Sequence, residues 1–256
     1  MSNIRRLVGL GVLLVGLGCS GTPSREAVLL VGRGVNPHWS TILSPALAAP
    51  DREITVVDVA KQSAAVALKP WLVRQQRLIV VPLVVSEADP LVAALRTAIA
   101  TRAASTVVAP PGADDLMATG IAARALRLSQ RRSQEGLFVL MDLPPGADPK
   151  AAQATVDALA IKVGHAVDFR VTTGIVWQGE ATASDVATRA AAMGRPLIVT
   201  YTTQPGPISM DLRTHLHGFR YALDGEGILS DSYYSDWLRA AVGQAAITVA
   251  TQPVPK

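Results

Sequence analysis

Arg77-Leu78-Ile79-Val80-Val81-Pro82-Leu83-Val84-Val85 is an apolar run with no polar residue alternating through it. A strand with one wet face alternates polar and apolar residues, whereas a strand covered on both faces reads as a continuous hydrophobic stretch. The run is therefore expected to be a central strand of a parallel sheet. Working outward, Ala64 to Arg74 before it and Leu91 to Arg102 after it carry helical spacing. Ala27 to Val31 and Ile54 to Val59 read as strands, with a helix from Trp39 to Leu47 between them. Ser105 to Ala109 follows as a fourth strand and Asp115 to Arg132 as a longer helix. This alternation predicts an α/β fold, a mostly parallel sheet with helices on both faces.

The order then restarts. Leu137 to Met141, Asp168 to Thr172 and Leu197 to Tyr201 read as strands. Pro149 to Val163, Thr182 to Met193, Ile208 to His215 and Ser232 to Ala245 read as helices. Arg77-Leu78-Ile79-Val80-Val81 and Arg195-Pro196-Leu197-Ile198-Val199 hold equivalent places, and Leu95-Arg96-Thr97 and Leu212-Arg213-Thr214 follow each at a similar interval. Pro-Pro-Gly-Ala-Asp occurs at Pro110 to Asp114 and again at Pro144 to Asp148, each time with Asp placed to cap a helix. Two similar α/β halves are predicted, 27–133 and 134–256, joined near the polar Arg131-Arg132-Ser133-Gln134.

The 256 residues are 49% hydrophobic and only 4% aromatic, which excludes intrinsic disorder and leaves Ala, Val and Leu to build the interior. Lys and Arg number 24 against 20 Asp and Glu, a net charge of +4. That surplus, with no arginine cluster interleaved with aromatics, argues against a nucleic-acid partner. The single cysteine excludes an intramolecular disulfide and a multi-cysteine metal site.

That cysteine stands in a telling place. Met1 to Arg6 is basic, Leu7 to Leu17 is uncharged and apolar, and Gly18-Cys19 is followed by polar residues. This is the layout of a secretory signal, with an apolar stretch shorter than the ~20 residues of a membrane span. Val15-Gly16-Leu17-Gly18-Cys19 resembles a bacterial lipobox, with Gly16 where Leu is usual. The expectation is a signal peptide over 1–18, a lipid on Cys19, a tether over 19–26 and an extracytoplasmic body held to an envelope membrane. Ser20 beside the lipidated residue favours the outer membrane in a host that has one.

Ligands of open parallel sheets bind beyond the carboxyl ends of the strands. That rule selects the loops Gly32 to His38, Leu83 to Pro90, Asp142 to Gly146 and Thr202 to Pro207. Gly32-Arg33-Gly34 has the outline of a dinucleotide turn, but Pro37 replaces the third glycine. Ligand-binding candidates are Arg33, His38, Glu87 and Asp89, and the last three form a candidate divalent-metal set of imidazole and carboxylates. His38 can instead begin a helix, and Glu87 and Asp89 can serve as ordinary helix-start acids. Arg33 can bind a carboxylate in a bidentate fork, or pair with a neighbouring acid such as Asp58. No G-x-S-x-G elbow and no phosphate-binding G-x-x-x-x-G-K-[ST] loop is present.

Val28-Leu29-Leu30-Val31-Gly32-Arg33-Gly34 resembles the opening of the sirohydrochlorin cobaltochelatase family, the small class II chelatases, which place Gly-His-Gly after their first strand. Arg77 to Ser86 resembles that family's next motif, a strand leading through Pro-Leu into a loop with a second histidine. Asp224-Gly225-Glu226-Gly227-Ile228-Leu229, followed by Trp237-Leu238, is similar to the close of two-half members. The resemblance implies two chelatase-like halves and a crevice for a tetrapyrrole and a divalent metal such as cobalt, nickel or iron. The chain departs from it at both histidines: Arg33 stands at the first position, and Ser86-Glu87-Ala88-Asp89-Pro90 has none at the second. Arginine stays protonated and neither ligates a metal nor accepts a proton. Three functions therefore stay open. The first is an exported lipoprotein binding an anionic small molecule, tetrapyrrole or metal without catalysis. The others are an active chelatase using His38, Glu87 and Asp89, and a structural envelope lipoprotein with a vestigial crevice.

Overall fold

The computed structural model describes residues 26–252, apart from 75 and 194. The signal segment, Cys19 and all of the 19–26 tether except its last residue lie outside the described residues. Among those described, no helix is long and apolar enough to cross a membrane.

The chain folds as two four-stranded, wholly parallel sheets. The first has the order β2-β1-β3-β4, built from β1 (Glu26–Gly32), β2 (Arg52–Asp58), β3 (Arg77–Pro82) and β4 (Ser105–Val107). The second repeats that order as β6-β5-β7-β8, from β5 (Gly136–Asp142), β6 (Val171–Trp177), β7 (Leu197–Tyr201) and β8 (Ala222–Asp224). The repeat anticipated from Arg77 and Arg195 is thus one of position: β3 and β7 each pair with the first strand of their half. Parallel neighbours require crossovers, which six of the eight helices supply, while α4 joins the two sheets and α8 follows the last strand. These are α1 (Trp39–Leu47), α2 (Ala64–Leu72), α3 (Pro90–Ile99), α4 (Asp115–Leu128), α5 (Pro149–Ala166), α6 (Glu180–Ala191), α7 (Pro207–His215) and α8 (Ser232–Ala250). Both Pro-Pro-Gly-Ala-Asp copies end in a cap, Asp114 accepting from Leu116 N–H at 2.8 Å and Asp148 from Lys150 N–H at 2.9 Å.

Alternation along the strands sorts the interior into three cores. Ala27, Leu29 and Val31 of β1 pack with Leu68 and Trp71 of α2 and Leu95 of α3. Phe138 and Leu140 of β5 pack with Val186 of α6 and Leu212 of α7. The opposite faces of both sheets, including Val28, Leu30, Leu137 and Val139, share one core with α1, α4, α5 and α8. Within it the last helix of each half crosses over. Helix α4 packs on α5 and β7 of the second half, while α8 packs on α1 and β3 of the first. Buried Arg124 of α4 bolts this exchange, donating to the carbonyls of Thr200 and Glu226 and to the Asp224 carboxylate.

Several element boundaries differ from expectation, among them the end of α8, which runs on to Ala250 rather than stopping at Ala245. The second strand of the later half is Val171–Trp177 rather than Asp168 to Thr172. The central strand stops at Pro82, so Leu83, Val84 and Val85 are buried loop. Helix α4 ends at Leu128, where Ser129, Gln130 and Arg131 turn to meet the buried Glu135 carboxylate. Burial pushes that carboxyl upward, but the Ser129 hydroxyl, the amides of Arg131 and Gln130 and the Arg195 guanidinium bring it below its ordinary value.

Candidate functional site

Four loops leave the carboxyl ends of β1, β3, β5 and β7 and converge on one cavity of about 400 Å³ between the halves. Its lining comes from Arg33 and Gly34, from Leu83 to Val85 with Asp89, from Asp142 with Pro144 and Pro145, and from Thr202 to Gly206. That size lies within the range of small-molecule pockets.

Arg33 reaches this cavity because β1 ends in a tight turn. Gly34 holds φ at +62°, a left-handed conformation that glycine adopts without penalty. The turn is pinned by Asp58, whose carboxylate accepts the N–H of Gly34 at 2.8 Å and of Ala60 at 2.9 Å. Asp58 is therefore occupied by backbone, and the neighbouring acid that Arg33 pairs with is Asp89. The Arg33 Nη1 atom lies 3.0 Å from both carboxylate oxygens of Asp89. Asp89 is only 4% exposed, whereas Arg33 is 40% exposed. The same Asp89 carboxylate caps α3, accepting the Leu91 N–H at 2.8 Å. One nitrogen of the guanidinium is thus anchored, and its remaining N–H groups make no hydrogen bond to the described residues.

The other sequence candidates do not join them. His38 is exposed at the start of α1, its backbone N–H bonded to the Asn36 side chain, and it does not line the cavity. Glu87 turns outward and pairs with Arg96 of α3 at 2.8 Å. His38, Glu87 and Asp89 therefore assemble no ligand set, and no group of three His, Cys, Asp or Glu placed to hold a metal occurs among the described residues. An arginine that neutralises the one buried carboxylate at the site is a poor neighbour for a divalent cation. These residues do not fit a resident metal ion.

Two features of the cavity were not singled out from sequence. Asp142 ends β5 and presents its carboxylate on the second-half wall. It meets solvent, yet the crevice crowds it enough that desolvation raises its pKa; the Leu143 amide opposes this rise and the Asp89 charge adds to it. Its signal was its place at a strand end in a loop that the strand-end rule selects. The second is a bond between the halves, from Trp39 Nε1 to Oε1 of the lining residue Gln204 at 3.3 Å. Nothing local in the sequence marks that pairing.

No family model matches the sequence, and no curated protein matches it. Solved structures do. SirB from Bacillus subtilis, determined with Fe3+, superposes with a TM-score of 0.65 at 14% identity, over 88% of this chain and 97% of that one. DR2241 from Deinococcus radiodurans, described as a multi-domain protein with structural similarity to chelatases and two additional novel domains, gives 0.64 at 15% identity. That match covers 91% of this chain and 57% of the other. The fold is chelatase-like. A third structure, CbiX, described as the terminal enzyme for biosynthesis of siroheme in denitrifying bacteria, gives 0.52 at 14% identity over 88% and 98%. The two-half parallel architecture is thus the one these proteins share, and identities this low speak for the fold alone.

Proposed function

We propose that this chain is a lipid-anchored binding protein whose inter-half crevice holds a carboxylate-bearing small molecule, of the tetrapyrrole class, without inserting a metal. The observation that carries this reading is the Arg33 guanidinium at the crevice, fixed through one nitrogen to buried Asp89 and free with the others. A planar fork so held is pre-organised for a carboxylate, and little side-chain entropy remains to be lost on binding. The tetrapyrrole class is supported by the chelatase-like fold and by the siroheme connection in the CbiX description. The pairing of Asp89 with Arg33 and of Glu87 with Arg96 favours binding over metal insertion. The membrane tether is supported by the sequence alone, through the apolar Leu7 to Leu17 run and the Cys19 behind it.

The test is a titration of the full-length chain, in non-ionic detergent, with the octacarboxylate uroporphyrin, followed by macrocycle absorbance and tryptophan quenching. Saturable binding is expected. Arg33→Ala should weaken it at least about tenfold, as loss of a hydrogen bond between charged groups does. Absence of binding, or full affinity in Arg33→Ala, contradicts the proposal.

A further inference from the structure

Acids and bases divide along the strand axis. Asp58, Asp142 and Asp224 end β2, β5 and β8, and Asp89, Asp114 and Asp148 cap helices at that same end of the sheets. Arginines hold the other end. Arg52 and Arg77 open β2 and β3, while Arg102, Arg170, Arg195 and Arg220 come within three residues ahead of β4, β6, β7 and β8. Helix carbonyl ends favour cations there, which accounts for the residue type but not for a surplus. Arg131, Arg132, Arg170 and Arg220 are exposed and enter no ion pair among the described residues, against two exposed and unpaired acids, Asp51 and Asp168. Helix α4 fixes how the sheets are turned. It starts beside the end of β7, where the Tyr201 hydroxyl donates to the Gly112 carbonyl, packs on β7 and finishes just before β5. Both sheets therefore run the same way, with their amino ends on the side away from the crevice.

We infer that this arginine-bearing face docks on a membrane surface of anionic headgroups, which turns the crevice outward to the aqueous side. The inference rests on the lipid tether proposed above and adds a second contact to it. Glu26 opens β1 on this same face, so the chain enters the fold where the arginines lie. Seven chain steps separate Cys19 from Glu26, a reach of about 25 Å at full extension. The length of β1 puts Glu26 about 20 Å from the crevice. Turning the crevice to the bilayer would need that link drawn almost straight, whereas the arginine face meets the surface with length to spare. Val73, closing α2 on this face, is 77% exposed and offers an apolar contact among the headgroups. A lipid anchor beside a cationic patch holds more firmly than the anchor alone.

The full-length, lipid-bearing chain on vesicles tests this, with nitroxide-labelled headgroups quenching a fluorophore on Val73→Cys or, at the crevice end, on Ala60→Cys. On vesicles of phosphatidylcholine with phosphatidylglycerol, quenching of the Val73→Cys label should be at least about threefold that of the Ala60→Cys label. The excess should shrink on phosphatidylcholine alone. It should also shrink between about 0.1 M and 1 M salt, where the Debye length falls from about 10 Å to 3 Å. Arg131→Glu combined with Arg170→Glu should have the same effect as salt. Equal quenching of the two labels, stronger quenching of the Ala60→Cys label, or an excess unmoved by salt overturns the docking; flotation with the vesicles in 1 M salt then keeps the tether. Flotation lost only in 1 M salt overturns the tether and keeps the docking. A chain that floats with the vesicles at neither salt overturns both.

Discussion

Arg124 is 3% exposed as a side chain, and the low-dielectric interior tolerates a guanidinium there because Nη1 and Nη2 both find acceptors. Its main counter-charge, Asp224, is pushed up by burial, but the Arg124 hydrogen bond and charge, the Glu226 amide and Arg127 more than offset this and hold it below its ordinary value. Removing one partner of a buried pair strands the other. Arg124→Ala should therefore lower the unfolding free energy by about 3–5 kcal/mol in urea titrations. Arg127→Ala, at an exposed partner, should change it by less than about 1 kcal/mol. Asp142 has the opposite sign. Its pKa is raised in the folded chain, so its contribution is fully present below the unfolded value and is lost as pH rises through the folded one. Asp142→Asn should accordingly match the unaltered chain in acid and exceed it in stability at neutral pH, as followed by thermal unfolding across pH. At this scale the sequence exposed Arg33 and Asp89 as candidates but not their pairing. Asp58 is nearer in the chain, yet its oxygen is taken by the Gly34 and Ala60 amides, a competition that only folded geometry reveals.

The continuous apolar strands were legible because burial on both faces leaves no polar alternation, and the two capped Pro-Pro-Gly-Ala-Asp turns were legible because their chemistry is local. Strand β6 was not. The expected Asp168 to Thr172 overlaps it by only two residues, and the strand runs on through Gly174. That glycine is a packing requirement. A Cβ there would lie 2.4 Å from the Val156 carbonyl oxygen of α5, so helix and edge strand touch backbone to backbone. Gly174→Ala should push α5 off the sheet and destabilise the fold by about 1–3 kcal/mol, measured as a lower denaturant midpoint. Gln153 of α5 completes the edge, donating to the Gly174 carbonyl at 3.0 Å and accepting the Val176 N–H at 3.2 Å, as a neighbouring strand would. Strand β8 escaped notice because Ala222–Asp224 holds no β-branched residue, unlike the equally short β4 with Thr106 and Val107.

The exchange of α4 and α8 between halves could not be read from the chain, since an apolar helix face does not state which sheet it will cover. Its consequence is a single shared core, with Trp237 and Leu238 of α8 packed among first-half residues. Tryptophans occur in both halves, at Trp71 and Trp177 among others. Unfolding should therefore show one transition, with tryptophan fluorescence and far-UV circular dichroism coincident; two separated midpoints would show halves that fold alone. The same closure of the halves brings four loops together and decides what the crevice holds. Whether Arg33 holds a carboxylate there without metal insertion is decided by mixing the full-length chain with free-base uroporphyrin and cobalt(II) and following the absorbance. Binding should change the spectrum, an effect abolished or weakened in Arg33→Ala, with metalation no faster than in the protein-free control. Cobalt insertion accelerated above that control would contradict it.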